Sequence, residues 1–214
     1  MAVIFPRWTN HLPLVGAVAG VLGGLVVVGV ITYYFSPAFT DVGYAPEQPV
    51  AFSHQLHAGE LGLDCRYCHN TVEYAARAAI PPTSTCMNCH RVVKADSDKL
   101  AKVRDSAATG LPLEWVRVHM LPDYTFFDHS VHVAAGVGCA TCHGRIDQMD
   151  VVAQQAPMSM GWCLDCHRNP TPNLRPRSEV TNMAWEKETA VHNPDSGTSG
   201  RKPTPPEHCS GCHR

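Results

Sequence analysis

The sequence predicts a mostly irregular chain with short α-helices, tethered by one N-terminal transmembrane helix. Three observations predict this. The 214 residues include 17 Pro and 16 Gly but only 7% aromatic residues, a composition poorly suited to a packed side-chain core. One long uncharged stretch lies close to the N-terminus. The ten cysteines occur in five copies of one short pattern, which points to a body organised by something other than side-chain packing.

The uncharged stretch runs from Leu12 to Phe35 and is long enough to cross a bilayer. No A-x-A-like cleavage site follows it, so we expect a retained anchor rather than a removed signal peptide. Arg7 precedes the stretch and the next basic residue is Arg66, so the positive-inside rule places the N-terminus in the cytoplasm. We therefore predict a cytoplasmic N-terminus (1–11), a transmembrane anchor (12–36) and a linker (37–50).

Every cysteine lies in a C-x-x-C pair followed directly by His, the pattern of covalent c-type haem attachment. A zinc site needs no histidine at that fixed offset, and a disulfide framework would not repeat one two-residue gap five times. The sequence thus predicts five covalently bound haem c groups. The thioether cysteines are Cys65, Cys68, Cys86, Cys89, Cys139, Cys142, Cys163, Cys166, Cys209 and Cys212, and the proximal iron ligands are His69, His90, His143, His167 and His213.

The bulk composition is consistent with a cofactor-built protein. Five large apolar macrocycles can supply the buried surface that the side chains lack. The formal net charge is only −2 and no basic tract is present, so we expect no nucleic-acid binding. Because c-type haem is assembled outside the bacterial cytoplasm, we expect a single-pass protein of the cytoplasmic (inner) membrane with its haem domain on the periplasmic or outer side.

Two stretches resemble each other, "FSHQLHAGELGLDCRYCH" from Phe52 and "FDHSVHVAAGVGCATCH" from Phe127. Each places F-x-H-x-x-H shortly before a haem motif, and a second motif follows. We predict two dihaem modules (51–110 and 111–170) and an extended C-terminal region (171–214) with the fifth haem. Histidines three apart point in offset directions, so one can face its own haem and the other a neighbour. The predicted distal iron ligands are His54, His57, His129 and His132; the alternative is that they are ordinary surface or core histidines.

The fifth distal ligand is the most open assignment. Met149 lies 14 residues before Cys163, a spacing close to that between each first histidine and its motif, so it could serve the fourth haem. A Met/His iron has a higher potential than a bis-His iron. The other candidates are His119, Met158, Met160 and His192. Because fully ligated iron has no open position for a substrate, we expect an electron-transfer subunit without catalytic residues rather than an enzyme.

One regular element is predicted between the modules. "SDKLAKVRDSAATG" has Ser97 as an N-cap, apolar residues at helical spacing and Gly110 as a stop. It predicts one short surface helix.

The motifs together resemble a known family. The five C-x-x-C-H motifs, the two F-x-H-x-x-H motifs and the runs "WVRVHMLPDY", "GVGCATCHG" and "SMGWCLDCHR" resemble the pentahaem cytochrome subunit of Alternative Complex III, a bacterial quinol oxidoreductase. The modules also resemble the class III cytochromes of the c7 and c3 type. That resemblance implies that His54 serves the haem on Cys65 and Cys68. It likewise implies that His129 serves the haem on Cys139 and Cys142, while His57 and His132 serve other haems.

The same resemblance implies a function and partners. The chain would relay electrons from quinol oxidation to a cytochrome, another periplasmic acceptor or an oxidase, and would meet quinol only indirectly. Its partners would be membrane and iron–sulfur subunits of a quinol-oxidising complex, with a monohaem cytochrome or other redox carrier as acceptor. Two alternatives stay open: a free-standing membrane multihaem quinol dehydrogenase that feeds a periplasmic reductase, and a haem reductase acting on a small oxyanion.

Overall fold

The computed structural model describes residues 4–185 and 204–213, and the chain divides into two units, Met1–Thr40 and Asp41–Arg214. In these described ranges the regular structure is helical, and the extended pairings are two isolated bridges, Thr125 with His213 and Val137 with Leu174. The predicted class, short helices joined by irregular chain, is confirmed.

The first unit consists mainly of one apolar helix. A 3-10 turn (Arg7–His11) leads into helix α1 (Leu12–Tyr34), and a short helix α2 (Pro37–Thr40) follows. Proline occupies the first turn of α1, where its missing N–H costs nothing. None of the α1 side chains is buried, and the mean hydropathy of the segment is 2.6. Within the described residues it is the one helix long and apolar enough to cross a membrane.

The second unit holds short helices, most of which carry the cysteine motifs. They are a π-helix (Gln55–Glu60), α3 (Cys65–Cys68), α4 (Thr83–His90), α5 (Ala101–Thr109), α6 (His129–Ala134), α7 (Cys139–His143) and α8 (Met160–Arg168). Side-chain N-caps begin three of them: Asp64 for α3, Asp128 for α6 and Ser159 for α8. Short 3-10 turns lie at Asp98–Leu100, Ile146–Gln148, Thr171–Asn173, Arg177–Glu179 and Cys209–Gly211.

The helix predicted between the modules is confirmed. A 3-10 turn (Asp98–Leu100) continues into α5, which ends at Gly110 with φ of +74°, a left-handed conformation suited to glycine. Ser97 precedes the turn, but its side chain makes no capping hydrogen bond. The start of the helix is therefore set by the backbone rather than by the predicted cap.

The two predicted modules contact each other closely. The backbone N–H of His129 donates to the Ala76 carbonyl at 3.1 Å, and the N–H of Gln55 donates to the Met149 carbonyl at 3.0 Å. Each bond joins the F-x-H-x-x-H motif of one module to the segment after the first haem motif of the other. The repeated sequence thus produces a repeated interaction.

The side-chain core is very small. Among the described residues the buried hydrophobic side chains are Val50, Val103, Ala156 and Val180. Gln154 is buried completely, and its side chain joins two backbone segments. It donates to the Ala156 carbonyl at 2.9 Å and accepts from the Met120 N–H at 3.1 Å. So few buried side chains cannot by themselves hold a unit of this size together, which agrees with a body built around large apolar groups.

Candidate haem-binding sites

The predicted axial histidines come together as four pairs, each joining one proximal and one distal residue. The ring centres are 6.5 Å apart for His54 and His69, 6.2 Å for His57 and His90, 6.4 Å for His129 and His143, and 6.2 Å for His132 and His167. A metal–imidazole nitrogen bond is about 2 Å and the ring centre lies about 1.1 Å beyond the nitrogen, so two axial imidazoles have centres roughly 6.2 Å apart. All four pairs therefore fit one iron each.

Backbone carbonyls orient most of these rings. Nδ1 of a ligand ring donates its hydrogen to a carbonyl, which fixes the tautomer and leaves Nε2 for the iron. The bonds are His69 to Ala79 (2.7 Å), His90 to Val93 (3.0 Å), His167 to Pro206 (2.7 Å), His57 to Ser53 (2.8 Å), His129 to Ala76 (2.9 Å) and His132 to Asp128 (2.7 Å). His54 Nδ1, in contrast, is buried without a hydrogen-bond partner.

The phenylalanine of each F-x-H-x-x-H motif packs on both of its histidines. Phe52 lies edge-on to His54 (4.9 Å between ring centres) and stacks on His57 (4.3 Å). Phe127 lies edge-on to His129 (4.8 Å) and at a tilt of 33° against His132 (4.5 Å). The two imidazoles on each phenylalanine face different histidines, His69 and His90 in the first module and His143 and His167 in the second.

Hydrogen bonds and ring contacts show which motifs are neighbours. Asn88 of the second motif donates to the Tyr67 hydroxyl of the first at 3.0 Å. The Cys139 N–H of the third motif donates to the Val180 carbonyl at 2.9 Å, and Thr181 donates to Asp64, the residue before Cys65, at 2.9 Å. The two histidines that pack on Phe127 face His143 of the third motif and His167 of the fourth, and His167 donates to the Pro206 carbonyl, just before the fifth motif, at 2.7 Å. Motifs two, one, three, four and five thus follow one another in space.

Burial governs the protonation of the site residues. It is the main cause that lowers the pKa of His54 to about 4 and that of His143 to about 3, and the charges of neighbouring histidines add to it. Both imidazoles are consequently neutral near pH 7, the form that coordinates iron. Burial, and to a smaller extent the charges of the nearby Cys166 and Cys163 thiolates, also raise the pKa of the free Cys142 thiol to about 12.

The fifth motif sits against the middle of the chain. The Phe126 N–H donates to the Cys212 carbonyl at 2.7 Å, and His213 Nδ1 donates to the Tyr124 carbonyl at 3.3 Å. Within residues 4–185 and 204–213 no histidine ring stands opposite His213 at the spacing of the four pairs.

The remaining distal candidates lie elsewhere. The Met149 methyl lies beside Gly144, and the fourth motif's His167 faces His132 instead. Met160 is 67% exposed at the start of α8, and Met158 has a left-handed φ of +50°. His119 lies against His143, with ring centres 4.3 Å apart, too close for an iron between them. His192 lies outside the described residues.

The described cysteines and histidines can be compared with the arrangements that disulfides, metal ions and haems need. All ten cysteines are described, and none is joined in a disulfide. Across the described part of the chain, no group of three His, Cys, Asp or Glu side chains converges as a bare metal-ion site. What the residues form is a set of opposed imidazole pairs beside C-x-x-C-H motifs, the arrangement of a multihaem c-type cytochrome.

Comparisons with known proteins place the chain within that class. The family model described as cytochrome c7 and related cytochrome c matches residues 50–107 and 125–214, and the chain belongs to this family. It is also 33% identical over 178 residues to the multihaem cytochrome c subunit of menaquinone reductase from Nitratidesulfovibrio vulgaris (strain Hildenborough). That alignment covers 72% of this chain and 82% of the relative. The c7-like identity predicted from the motifs is confirmed, and with it covalently bound haem c.

Sequence reasoning missed two features of the site. Gln154 was not predicted to matter, because a buried polar residue leaves no periodic signal. His119 was considered only as an axial ligand, whereas it contacts the Nδ1 side of one.

Proposed function

We propose that this chain is a membrane-anchored pentahaem electron-transfer subunit of a quinol-linked oxidoreductase of the Alternative Complex III type. The observation that carries the proposal is the set of four opposed histidine pairs at iron spacing. Six-coordinate iron binds no substrate, so such haems accept and release electrons. The chain itself would not be catalytic.

In this proposal each pair serves one haem. The first haem takes His54 and His69, and the second takes His57 and His90. The third takes His129 and His143, and the fourth takes His132 and His167. Each module thus supplies both distal ligands of its own two haems. The fourth haem takes His132 rather than Met149, because the His132 ring already faces His167.

The fifth haem would be bound by Cys209 and Cys212, with His213 as proximal ligand. We expect its distal ligand to be His192 or a methionine sulfur, because the eight histidines of the four pairs are used by the other haems. A Met/His iron would have the highest potential of the set. In the order two, one, three, four, five this haem stands at one end of the relay, where an electron is exchanged with a partner.

The helix α1 would hold the relay at the cytoplasmic membrane, with the haem domain on its periplasmic or outer side. Electrons would come from quinol that is oxidised in the membrane subunits. An iron–sulfur subunit would lie beside this chain. They would leave to a monohaem cytochrome, another periplasmic carrier or an oxidase. The relative that belongs to a multi-subunit menaquinone reductase supports the existence of partner subunits.

That relative also favours a second candidate. Its name describes a menaquinone reductase, so in that protein's complex electrons run toward the quinone. A haem relay conducts in either direction, and the same chain could deliver electrons from a periplasmic donor to menaquinone. The two candidate functions share every ligand assignment. They differ only in the direction of net electron flow, from quinol or toward the quinone.

Affinity purification of the full chain from gently solubilised membranes tests both candidates. We expect co-purifying membrane and iron–sulfur subunits, and an intact mass with five covalent haems. Addition of a menaquinol analogue to the complex should reduce the haems, whereas a reduced periplasmic donor should be needed in the second candidate. A chain that purifies alone and oxidises quinol by itself would favour the free-standing dehydrogenase. Strong carbon monoxide binding accompanied by oxyanion reduction would favour the haem reductase.

A further inference from the structure

The proximal histidine of the third motif has an unusual hydrogen-bond partner. His143 Nδ1 lies 3.3 Å from His119 Nε2, and the two rings meet edge to face, with an interplanar angle of 83°. The Nδ1 atoms of the other four proximal histidines all meet backbone carbonyls. The third haem is therefore set apart by its surroundings rather than by its axial ligands.

The direction of this hydrogen bond follows from the chemistry of ligation. An imidazole that binds iron through Nε2 carries its hydrogen on Nδ1, so His143 is the donor. His119 Nε2 must then be the acceptor, which makes His119 neutral with its hydrogen on Nδ1. A ring nitrogen is a more basic acceptor than a peptide carbonyl oxygen. It therefore draws the Nδ1 hydrogen more strongly and increases the electron density that His143 donates to iron.

Two glutamines hold the segment that carries His119. Gln48 donates to the Val116 carbonyl at 2.9 Å and accepts from the Val116 N–H at 2.9 Å. The fully buried Gln154 accepts from the N–H of Met120, the residue after His119. A backbone fixed on both sides of His119 indicates a preorganised contact rather than a chance approach of two rings.

We propose that His119 is a positioning residue that lowers the reduction potential of the third haem by accepting the His143 Nδ1 hydrogen. The inference rests on the proposed ligation of the third haem by His129 and His143. Greater donation by the proximal ligand stabilises ferric iron relative to ferrous iron. In the spatial order of motifs two, one, three, four, five, this third haem would stand in the centre of the relay. Its potential would therefore control the passage of electrons between the two halves.

Redox titration of the full-length, haem-loaded chain tests this. In His119→Phe, which keeps an aromatic ring but removes the acceptor, the reduction equilibrium constant of one haem should rise about fivefold, the scale of one hydrogen bond. A tenfold rise would be 59 mV for a one-electron couple. In His119→Gln the amide oxygen can accept the same hydrogen, but less strongly than the ring nitrogen, so that variant should show a smaller rise than His119→Phe. His11→Phe removes a histidine outside the haem domain and is the matched control, with no shift expected.

Three results would overturn the proposal. His119→Phe with five haems and unchanged potentials would show that the bond has no effect. An equal shift in His119→Gln would show that the shift comes from the loss of histidine rather than of the acceptor. A new carbon monoxide binding iron in His119→Phe would make His119 an axial ligand.

A measurement on the wild-type chain remains decisive if the variants do not fold. In the fully reduced, diamagnetic protein with nitrogen-15 labelled histidine, the His143 Nδ1–H should show a scalar coupling to a second nitrogen across the hydrogen bond. Bonds to carbonyl oxygen cannot produce such a coupling. Its absence in a chain with five low-spin haems would overturn this inference alone. A chain in which His143 does not bind iron would instead overturn the proposed ligation.

Discussion

The imidazole rings of His54 and His69 are parallel to within 2°, with their centres 6.5 Å apart. The same relationship recurs between His129 and His143, at 10° and 6.4 Å. In both modules the rings come from the F-x-H-x-x-H motif and from the haem motif that follows it, so the repeated sequence builds a repeated pair of opposed histidines. This correspondence makes the distal assignments open to direct test.

Removing one distal histidine should expose one iron. His132→Ala should give a reduced protein that binds one more equivalent of carbon monoxide than the wild type, because the iron of the fourth haem loses its sixth ligand. Carbon monoxide titration followed by absorbance measures this. The matched control is Met149→Leu, for which no additional binding is expected. If Met149→Leu opens an iron and His132→Ala does not, the fourth haem uses the methionine.

The proposed spatial order of the haems predicts a set of distances. In the haem-loaded chain the nearest iron neighbours should be two with one, one with three, three with four, and four with five, because the motifs that bind those haems contact each other in that order. A structure determined with the haems bound measures the iron–iron distances directly. A second haem whose nearest neighbour is the third, or a fifth haem remote from the fourth, would contradict this order.

The contact between the modules should not tolerate an added methyl group at Gly59. A Cβ there would collide with the backbone carbonyl of Asp147, in the 3-10 turn Ile146–Gln148 that follows the third haem motif. We expect Gly59→Ala to destabilise the protein by about 1–3 kcal/mol, the cost of overpacking. Gly161→Ala, where nothing lies within 4 Å, is the control and should be tolerated. Guanidinium unfolding of the detergent-solubilised chain measures both, and equal stability of the two variants would contradict the packing.

Gln154 should be essential to the haem domain. Gln154→Leu leaves the Met120 N–H and the Ala156 carbonyl without their partner, and each orphaned group costs about 1–3 kcal/mol. We expect a loss of about 2–4 kcal/mol in the free energy of unfolding. The neighbouring Gln155→Leu should change it by less than about 0.5 kcal/mol, since that side chain is exposed. A change below about 0.5 kcal/mol in Gln154→Leu would mean that these two hydrogen bonds contribute little to stability.

The carboxylate of Asp64 should contribute stability that depends on pH. The Arg66 guanidinium, which donates to Asp64 at 2.9 Å, lowers the pKa of this carboxyl from 3.8 to about 2. Because the folded state holds the charged form, the contribution is present above pH 3.8 and is lost as the pH falls toward 2. Its size stays below about 1 kcal/mol, since the pair is solvent-exposed.

Asp64→Asn keeps the N-cap and removes the charge, so it isolates this effect. Its stability deficit should be equal at pH 7 and pH 5 and smaller at about pH 3, as measured by denaturant unfolding at each pH. The exposed Asp96→Asn serves as the charge control. A deficit that grows as the pH falls would contradict the assigned sign.

The features that the sequence by itself determined are local. Each C-x-x-C-H motif contains, within five residues, both thioether cysteines and the proximal histidine of a haem site. The apolar run of α1 is recognisable without knowledge of its tertiary contacts. The helix before Gly110 follows from the spacing of its apolar residues. The internal repeat could also be seen, because F-x-H-x-x-H occurs twice at the same place. These local features were sufficient to predict the class of protein and the candidate axial histidines.

Only the tertiary structure decided which residues face each other. Chain spacing suggested Met149 for the fourth haem, but spacing does not determine the direction in which a side chain points, and His132 faces His167 instead. The first and third motifs, far apart in the chain, meet through Cys139, which donates to the Val180 carbonyl, and Asp64, which accepts from Thr181. His119 and Gln154 act through single hydrogen bonds across long loops. Such contacts depend on the path of the whole chain, so no local pattern encodes them.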